Sequence, residues 1–456
     1  MALKYRVYII SLVFTILLLT PLIHLVRYQV IEADSILAKP NELRGEQTQE
    51  LRGSLLDRQG QALAYSEGRA RIYPLGEAAG SLVGYCGSDG LDNSFSGATK
   101  ALTVPREPIA AIQQISKGDL RGDDVVLTID SQLQQRIYDL LSGYLGAAVV
   151  MDVRTGELLA LVSRPSYDNN RVSESEYWQS LMDKASSSPL MERCLQSRYP
   201  PGSTFKTIVM SGALEEGLTR PGEQFDCSGS MDVGNFVLNC NATHGKLNLT
   251  EAFAYSCNMA FASVGMRLGV AGIDKWARRF GFMDIWPDVP GAAKAHLASD
   301  TAPSSAAEAA IGQADFLVSP LHMALTASVI ANKGRLLEPH LYKGSMRRGL
   351  WTQQIEIKDG REVISAETAV AVAEAMRQTV QYGTCTLAAL SYTGVAGKSG
   401  SAENPQGDPH AWFIGYAPYD NPRIACAVVL ENAGSGGTYA APVARQILDL
   451  ALNLTE

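Results

Sequence analysis

The stretch VYIISLVFTILLLTPLIHLV, Val7 to Val26, constrains this chain more than any other. It is almost wholly apolar. About 20 helical residues rising about 1.5 Å each cross a hydrocarbon core of about 30 Å. Pro21 and His24 sit towards one end, where a kink or a polar ring costs less than at the centre. Lys4 and Arg6 precede the run and Arg27 follows it, a mild bias towards a cytoplasmic N-terminus. A cleaved signal peptide is the main competitor, but the run is longer than a signal core and no small-x-small site directly follows it. The expectation is an uncleaved anchor at 7–26, a cytoplasmic tail at 1–6, and everything after Arg27 outside the cytoplasm.

At 456 residues the chain has length for roughly two to three domains. Its net charge of -8 argues against a nucleic-acid partner, which calls for a basic stripe. The cysteines number seven, an odd count, so they cannot all pair within one chain. Cys227 and Cys240 flank the polar segment SGSMDVGNFVLN. They suit either a disulfide in an oxidising compartment or two unpaired thiols. No CxxC or His-x-x-x-His spacing accompanies them, which argues against a metal.

From Glu32 to about Ser131 the chain is polar and broken into short apolar runs. RGSLLDRQGQALAY, Arg52 to Tyr65, reads as a hairpin turning at Asp57 to Gly60. DDVVLTID, Asp123 to Asp130, alternates like a strand, and the helical spacing that follows has Ser131 as its candidate cap. GAAVVMDVRTGELLALVSR then reads as two strands around a turn. FKTIVMSGALEEGL is a helix ending at Gly217, NLTEAFAYSCNMAFASVGMRLG is helical with Thr250 as cap, and SPLHMALTASVIANKG is a further helix. Three β-like runs, YTGVAGKSGSAE, HAWFIGYA and RIACAVVLEN, precede a closing helix from Pro442 to Leu452. Early strands, an all-helical middle and late strands imply one sheet built from both ends, an α+β sandwich rather than a βαβ repeat.

Three short motifs carry candidate chemistry. In YPPGSTFK, Ser203 and Lys206 lie three apart, within one helical turn. A lysine buried there loses solvation, its pKa falls, and it can take the proton of a serine nucleophile. The helix N-terminus favours negative charge at the reacting centre. The plain alternative is a serine cap beside a solvated lysine. In SCN, Ser256 is a candidate proton relay and Asn258 a candidate holder of a substrate carbonyl or amide, with Cys257 a small packed side chain. In KSGS, Lys398 and Ser399 suit a substrate carboxylate, and Gly400 clears space for a ligand along the strand. The Ser401 backbone N–H is a candidate partner to that of Ser203 in an oxyanion hole. Each motif alone is ambiguous; their order and placement on helix, loop and late strand are not.

Ser-x-x-Lys, Ser-x-Asn and a Lys-Thr-Gly-like triplet in this order occur in penicillin-binding proteins and serine β-lactamases. The sequence resembles a class B penicillin-binding protein, a membrane-anchored D,D-transpeptidase. RGSLLDRQGQALA, RIYPLG with LVGY, VVLTID, AVVMDVRTGELLALVSRPSYDNN, IGQADFLVSPLHMA and HAWFIGYAP are similar to family landmarks in family order. Three positions depart from the common pattern: Ser399 stands where threonine is commoner, Asp92 where glutamate is frequent, and Ala314 where a second glycine is frequent.

The resemblance implies a penicillin-recognising α+β sandwich, a central antiparallel sheet with helices on both faces and an all-helical subdomain. It divides the chain into the anchor, an elongated non-catalytic pedestal at 27–135 and a transpeptidase domain at 136–456. It implies acyl transfer on peptidoglycan stem peptides ending in D-Ala-D-Ala, with Ser203 as nucleophile, Lys206 as base and Ser256 as relay. Asn258, Lys398, Ser399, Gly400 and Ser401 would line the substrate site. β-Lactams would acylate Ser203, and no metal or organic cofactor is needed. The expected location is a bacterial cell membrane, crossed once. The expected partner is a polytopic membrane glycosyltransferase of the elongation or division machinery. A D,D-carboxypeptidase and a β-lactamase on the same fold are rival readings, as are a β-lactam-sensing receptor and a non-catalytic wall-synthesis scaffold. No Glu-x-x-Asn stretch supports a class A β-lactamase.

Overall fold

The computed structural model describes residues 14–15, 17–20, 52–85 and 122–454, apart from 69, 185–186, 235, 298–301, 314 and 406. Phe14, Thr15 and Leu17 to Thr20 are helical, and most of the expected anchor lies outside the described residues, as do Cys86, Asp92 and Ala314. Among the described residues, no helix is long and apolar enough to cross a membrane.

The centre is a five-stranded sheet in the order Ala396–Asn404, Gly407–Ala417, Ile424–Leu430, Gly146–Asp152, Leu158–Arg164. Every neighbouring pair is antiparallel, so strands from both ends of the domain meet in one sheet as the sequence implies. The strand IACAVVL is buried along its whole length. The reason is that both faces are covered. Ala425, Ala427 and Val429 enter one apolar cluster with the helices Lys206–Glu215 and Pro320–Ala331, while Cys426 and Val428 enter a second with the closing helix Ala441–Leu454. The period-two alternation of a strand thus feeds two separate cores.

Before this sheet, Leu55–Leu56 and Ala62–Glu67 form the expected hairpin, closed by the Asp57 N–H donating to the Gln61 carbonyl at 2.7 Å. These strands join a six-stranded sheet in the order Leu350–Gln354, Tyr342–Arg347, Asp124–Leu127, Leu55–Leu56, Ala62–Glu67, Ala70–Ile72. Two of its strands therefore come from far along the chain, and the helix Ser131–Leu140 runs unbroken across residue 135. That helix is capped by Asp130, whose side chain accepts from Leu133 N–H, not by Ser131. The Ser131 hydroxyl instead donates to the Asp57 carboxylate at 2.6 Å.

The middle of the chain is not all helical. Gln224–Cys227 pairs with Gly245–Asn248, and Ser230–Val233 pairs with Phe236–Asn239. Gly229, Gly234 and Gly245 adopt positive φ there, and the turns they permit fold short segments into two-stranded sheets. The helix Leu249–Ala254 follows, capped by Asn248 and Glu251 reciprocally, with Thr250 inside the first turn rather than at the cap. The next helix, Asn258–Arg279, is interrupted at Gly269, whose φ is 69°.

Candidate active site

The turn before Lys206 is held by its neighbours. Gly202–Phe205 is a 3-10 helix that runs into the α-helix Lys206–Glu215. Gly202 has φ +54°, and a Cβ there would lie 3.2 Å from the Ser401 backbone. Its N–H donates to the Gly312 carbonyl at 3.0 Å. Gly312 itself approaches so closely that a Cβ would lie 1.9 Å from the Gly202 oxygen. The Trp412 indole donates to the Pro200 carbonyl at 3.0 Å, and the Tyr199 hydroxyl to Glu431 Oε1 at 2.7 Å. The same Glu431 oxygen accepts from Arg193 Nε at 2.8 Å. From Pro201 to Lys206, Ser203 is the residue left partly exposed; its neighbours are buried.

Lys206 is fully buried. Its Nζ lies 2.8 Å from the Ser256 carbonyl, 3.2 Å from Ser256 Oγ and 2.7 Å from Asn258 Oδ1, all uncharged acceptors. Burial, reinforced by the positive charge of Lys398, holds its pKa well below the ordinary lysine value. Ser256 sits in the break between two helices with φ 58°, a left-handed conformation that non-glycine residues seldom adopt. This turn aims both its carbonyl and its hydroxyl at Lys206. The Asn258 side chain is engaged at both ends, since its Nδ2 donates to the Asn239 carbonyl at 3.0 Å.

The Ala396–Asn404 strand forms the edge of the central sheet. Lys398 is fully buried beneath it, donates to the Ser399 carbonyl at 2.9 Å, and has its pKa lowered to about 8 by burial. Its ammonium is thus turned inward, not presented at the surface as a direct carboxylate ligand. Ser399 Oγ lies 2.9 Å from Thr384 Oγ1. Ser401 is exposed, and its Oγ accepts from the Gly436 N–H at 3.2 Å. A Cβ on Gly400 would lie 3.0 Å from the Pro201 carbonyl and 3.2 Å from the Thr204 nitrogen, so the strand lies directly against the turn carrying Ser203.

The candidate residues therefore converge. Lys206, Ser256 and Asn258 share hydrogen bonds, Gly400 abuts the Ser203 turn, and Ser399 and Ser401 continue along the same strand edge. Thr384, Asn239, Gly312, Glu431 and Gly436 are structural contributors that the sequence reading does not single out. The Gly436-Gly437 pair and an acidic residue closing an apolar strand at Glu431 are legible signals, but Thr384 carries none.

Beside the site, Cys227, Cys240 and Cys257 are free thiols. Cys240 and Cys257 sulfurs lie 3.8 Å apart, far beyond a bond of about 2.05 Å, and no Cys227–Cys240 disulfide forms. Cys257 is buried as expected, but not merely packed. Spacing alone argues against a metal, whereas folding brings the thiols and His244 from separate segments to within 4.8 Å of one another.

A sheet edge closing on a serine turn above a buried, uncharged-partnered lysine defines a serine acyl-transferase site. Residues 146–449 match the penicillin binding protein transpeptidase domain. The peptidoglycan D,D-transpeptidase PbpA of Mycobacterium tuberculosis is 31% identical over 498 residues, covering 97% of this chain and 98% of that protein. MrdA of Haemophilus influenzae, also a peptidoglycan D,D-transpeptidase, is 32% identical over 74% of this chain and 58% of its own length. Penicillin-binding protein A from M. tuberculosis, solved as a ceftriaxone acyl-enzyme complex, superposes with a TM-score of 0.82 at 29% identity, covering 88% of this chain and 98% of that one. Its penicillin G acyl-enzyme gives 0.79 at 28% identity, covering 89% and 100%. The chain belongs to the penicillin-binding protein transpeptidase family, and class B of that family fits it.

Proposed function

We propose that this protein is a peptidoglycan D,D-transpeptidase that cross-links stem peptides through an acyl-enzyme on Ser203. The observation that carries the reading is the environment of Lys206. A neutral amine has two hydrogens, and two carbonyl oxygens at 2.8 and 2.7 Å, Ser256 O and Asn258 Oδ1, accept them. The lone pair is then left for a hydroxyl. The contact with Ser256 Oγ is the longest of the three at 3.2 Å, and it yields that lone pair when the Ser203 hydroxyl is the group to be deprotonated. A lysine held this way, with its pKa depressed by burial, is arranged as a base rather than as a counter-ion.

Ser203 Oγ attacks the carbonyl carbon of the penultimate D-Ala while Lys206 takes its proton. The developing oxyanion is stabilised by the backbone N–H groups of Ser203 and Ser401. Collapse breaks the peptide C–N bond, and the proton returns through Ser256 to the departing D-Ala amine. An amine from a second stem peptide then attacks the ester carbon, loses its proton to the same relay, and releases Ser203. Ser399 and Ser401 hold the terminal carboxylate. Lys398, buried beneath them, contributes a positive field and keeps Lys206 deprotonated. Asn258 orients Lys206, a role added to the substrate contact inferred from sequence. A β-lactam enters the same path because its ring amide presents the scissile carbonyl. The chemistry needs no metal or organic cofactor in the reacting centre.

The apolar run Val7–Val26 supports a single-pass anchor, with the pedestal and catalytic domain outside the cytoplasm of a bacterial cell. Family analogy supports a polytopic membrane glycosyltransferase as partner in elongation or division. Fluorescent penicillin added to the purified chain tests the core of the reading. A stable adduct mapping to Ser203, absent from a folded Ser203→Ala variant, is expected, with cross-linked product from paired stem peptides. Rapid turnover of penicillin would instead mark a β-lactamase, and trimmed but unlinked peptides a carboxypeptidase.

A further inference from the structure

We infer that Cys227, Cys240, His244 and Cys257 form a structural site for a zinc-class divalent cation that fixes the loop carrying Ser256 and Asn258. The four donor atoms lie within 4.8 Å of one another, and three of their separations match a tetrahedron. Zinc with Zn–S of about 2.3 Å and Zn–N of about 2.0 Å separates two sulfurs by about 3.8 Å and a sulfur from a nitrogen by about 3.5 Å. Here Cys240 and Cys257 sulfurs are 3.8 Å apart, and His244 Nδ1 lies 3.4 Å from Cys227 Sγ and 3.6 Å from Cys240 Sγ. Thiolate and imidazole together suit zinc and disfavour magnesium or calcium, which take oxygen ligands. Four protein donors close the coordination sphere, the mark of a structural rather than a catalytic ion.

The placement of the donors gives the site its purpose. Cys227 ends the strand Gln224–Cys227, Cys240 follows the strand Phe236–Asn239, and His244 precedes the strand Gly245–Asn248. Cys257 lies between Ser256 and Asn258, in the break between two helices. Without a tie, these short strands have little core of their own. The Asn258 N–H donates to Cys240 Sγ at 3.2 Å, an outer hydrogen bond of the kind that orients a thiolate ligand. Asn258 Nδ2 reaches the carbonyl of Asn239, the neighbour of Cys240, and Asn258 Oδ1 reaches Lys206. The coordination sphere and the lysine are thus joined through one asparagine. The His244 ring also stacks on Tyr255, the residue before Ser256, with centroids 6.0 Å apart.

Elemental analysis of the purified full-length chain, prepared with zinc and stored with a reductant, should find one zinc per chain. Cobalt(II) loaded in its place should show thiolate charge-transfer and tetrahedral d–d absorption. Cys227→Ser with Cys240→Ser should remove the metal, lower the melting temperature and slow penicillin labelling at least tenfold. His244→Cys, which keeps a four-donor set, should retain zinc, so a misfolded double variant does not decide the matter. Chelation of the wild type should slow labelling, with recovery on adding zinc but not magnesium. Wild-type protein that neither contains nor takes up zinc or cobalt, or whose thiols are found paired as a disulfide, would overturn the inference. Ser203→Ala separates the two readings: it should keep the metal while losing the label.

Discussion

The side-chain nitrogen of Lys206 lies 2.7 Å from the amide oxygen of Asn258, and the opposite end of that amide is tied to the Asn239 carbonyl at 3.0 Å. The lysine is thereby aimed by a group that carries no charge and leaves its pKa depressed.

Replacing this lysine by arginine keeps a cation but removes a base, because a guanidinium stays protonated. Lys206→Arg should therefore slow penicillin acylation by about 10² to 10⁴-fold. In the wild type, the acylation rate should fall on acidification as Lys206 gains its proton, with the midpoint well below the ordinary lysine value. A stopped-flow rate–pH profile measures both. An arginine variant as fast as wild type would remove Lys206 from the base role.

Lys398 links function to stability. Its pKa of about 8 lies below the unfolded value of about 10.4, so between those pH values the unfolded chain binds more protons. Stability should rise with pH through that window and be penalised below it by on the order of 3 kcal/mol. Lys398→Met removes the buried charge while keeping an unbranched stem. Its melting temperature should exceed wild type at pH 7 and lose that advantage above about pH 10. The same change should slow acylation and move the acid limb of the rate profile upward, since Lys206 loses a like-charged neighbour. Thermal melts at two pH values decide the first part, and the rate profile the second.

Glu431 joins Arg193 and Tyr199 behind the serine turn. Glu431→Ala leaves the Arg193 guanidinium, whose side chain is only 4% exposed, without its carboxylate. A loss of about 3 kcal/mol is expected in denaturant unfolding. Labelling by the folded fraction should slow about tenfold as the turn shifts. A variant that is less stable yet labels at the normal rate would show that the network serves folding alone.

Gly400 permits the edge strand to lie on the turn carrying Ser203. Gly400→Ala adds a methyl 3.0 Å from the Pro201 carbonyl, which must give by a few tenths of an ångström. The protein should fold, but acylation should slow about 10²-fold because the oxyanion donors and nucleophile part. Normal kinetics in this variant would mean that the contact is slack.

What could be read in the sequence was local. Ser203 and Lys206 share a turn by spacing, and the three late strands declare themselves by apolar runs between Pro, Gly and Asp turns. Caps failed where neighbouring residues were chemically interchangeable. Asp130 and Ser131 both cap well, as do Asn248 and Thr250, and only the backbone angle decides which oxygen reaches the N–H. The hairpins before Asn248 were hidden because four-residue strands carry too little alternation. The meeting of His244 with three thiols, and of Thr384 with Ser399, depends on long-range folding that no spacing encodes. The pairing of Tyr342–Arg347 with Asp124–Leu127 is likewise a contact between distant segments.

That last pairing bears on how this protein can be handled. Val125 and Val126 bond to Leu55 and Leu56 on one side and to Ser345 and Gly344 on the other. A fragment trimmed to begin at Gly146 would keep the whole reacting centre yet strip Tyr342–Arg347 of its inner neighbour. The bared ladder of N–H and C=O groups would be adhesive, recruiting strands from other copies. Soluble, well-behaved material should therefore require the strands Leu55–Leu56 and Asp124–Leu127 ahead of Gly146, even though no proposed catalytic residue lies on them.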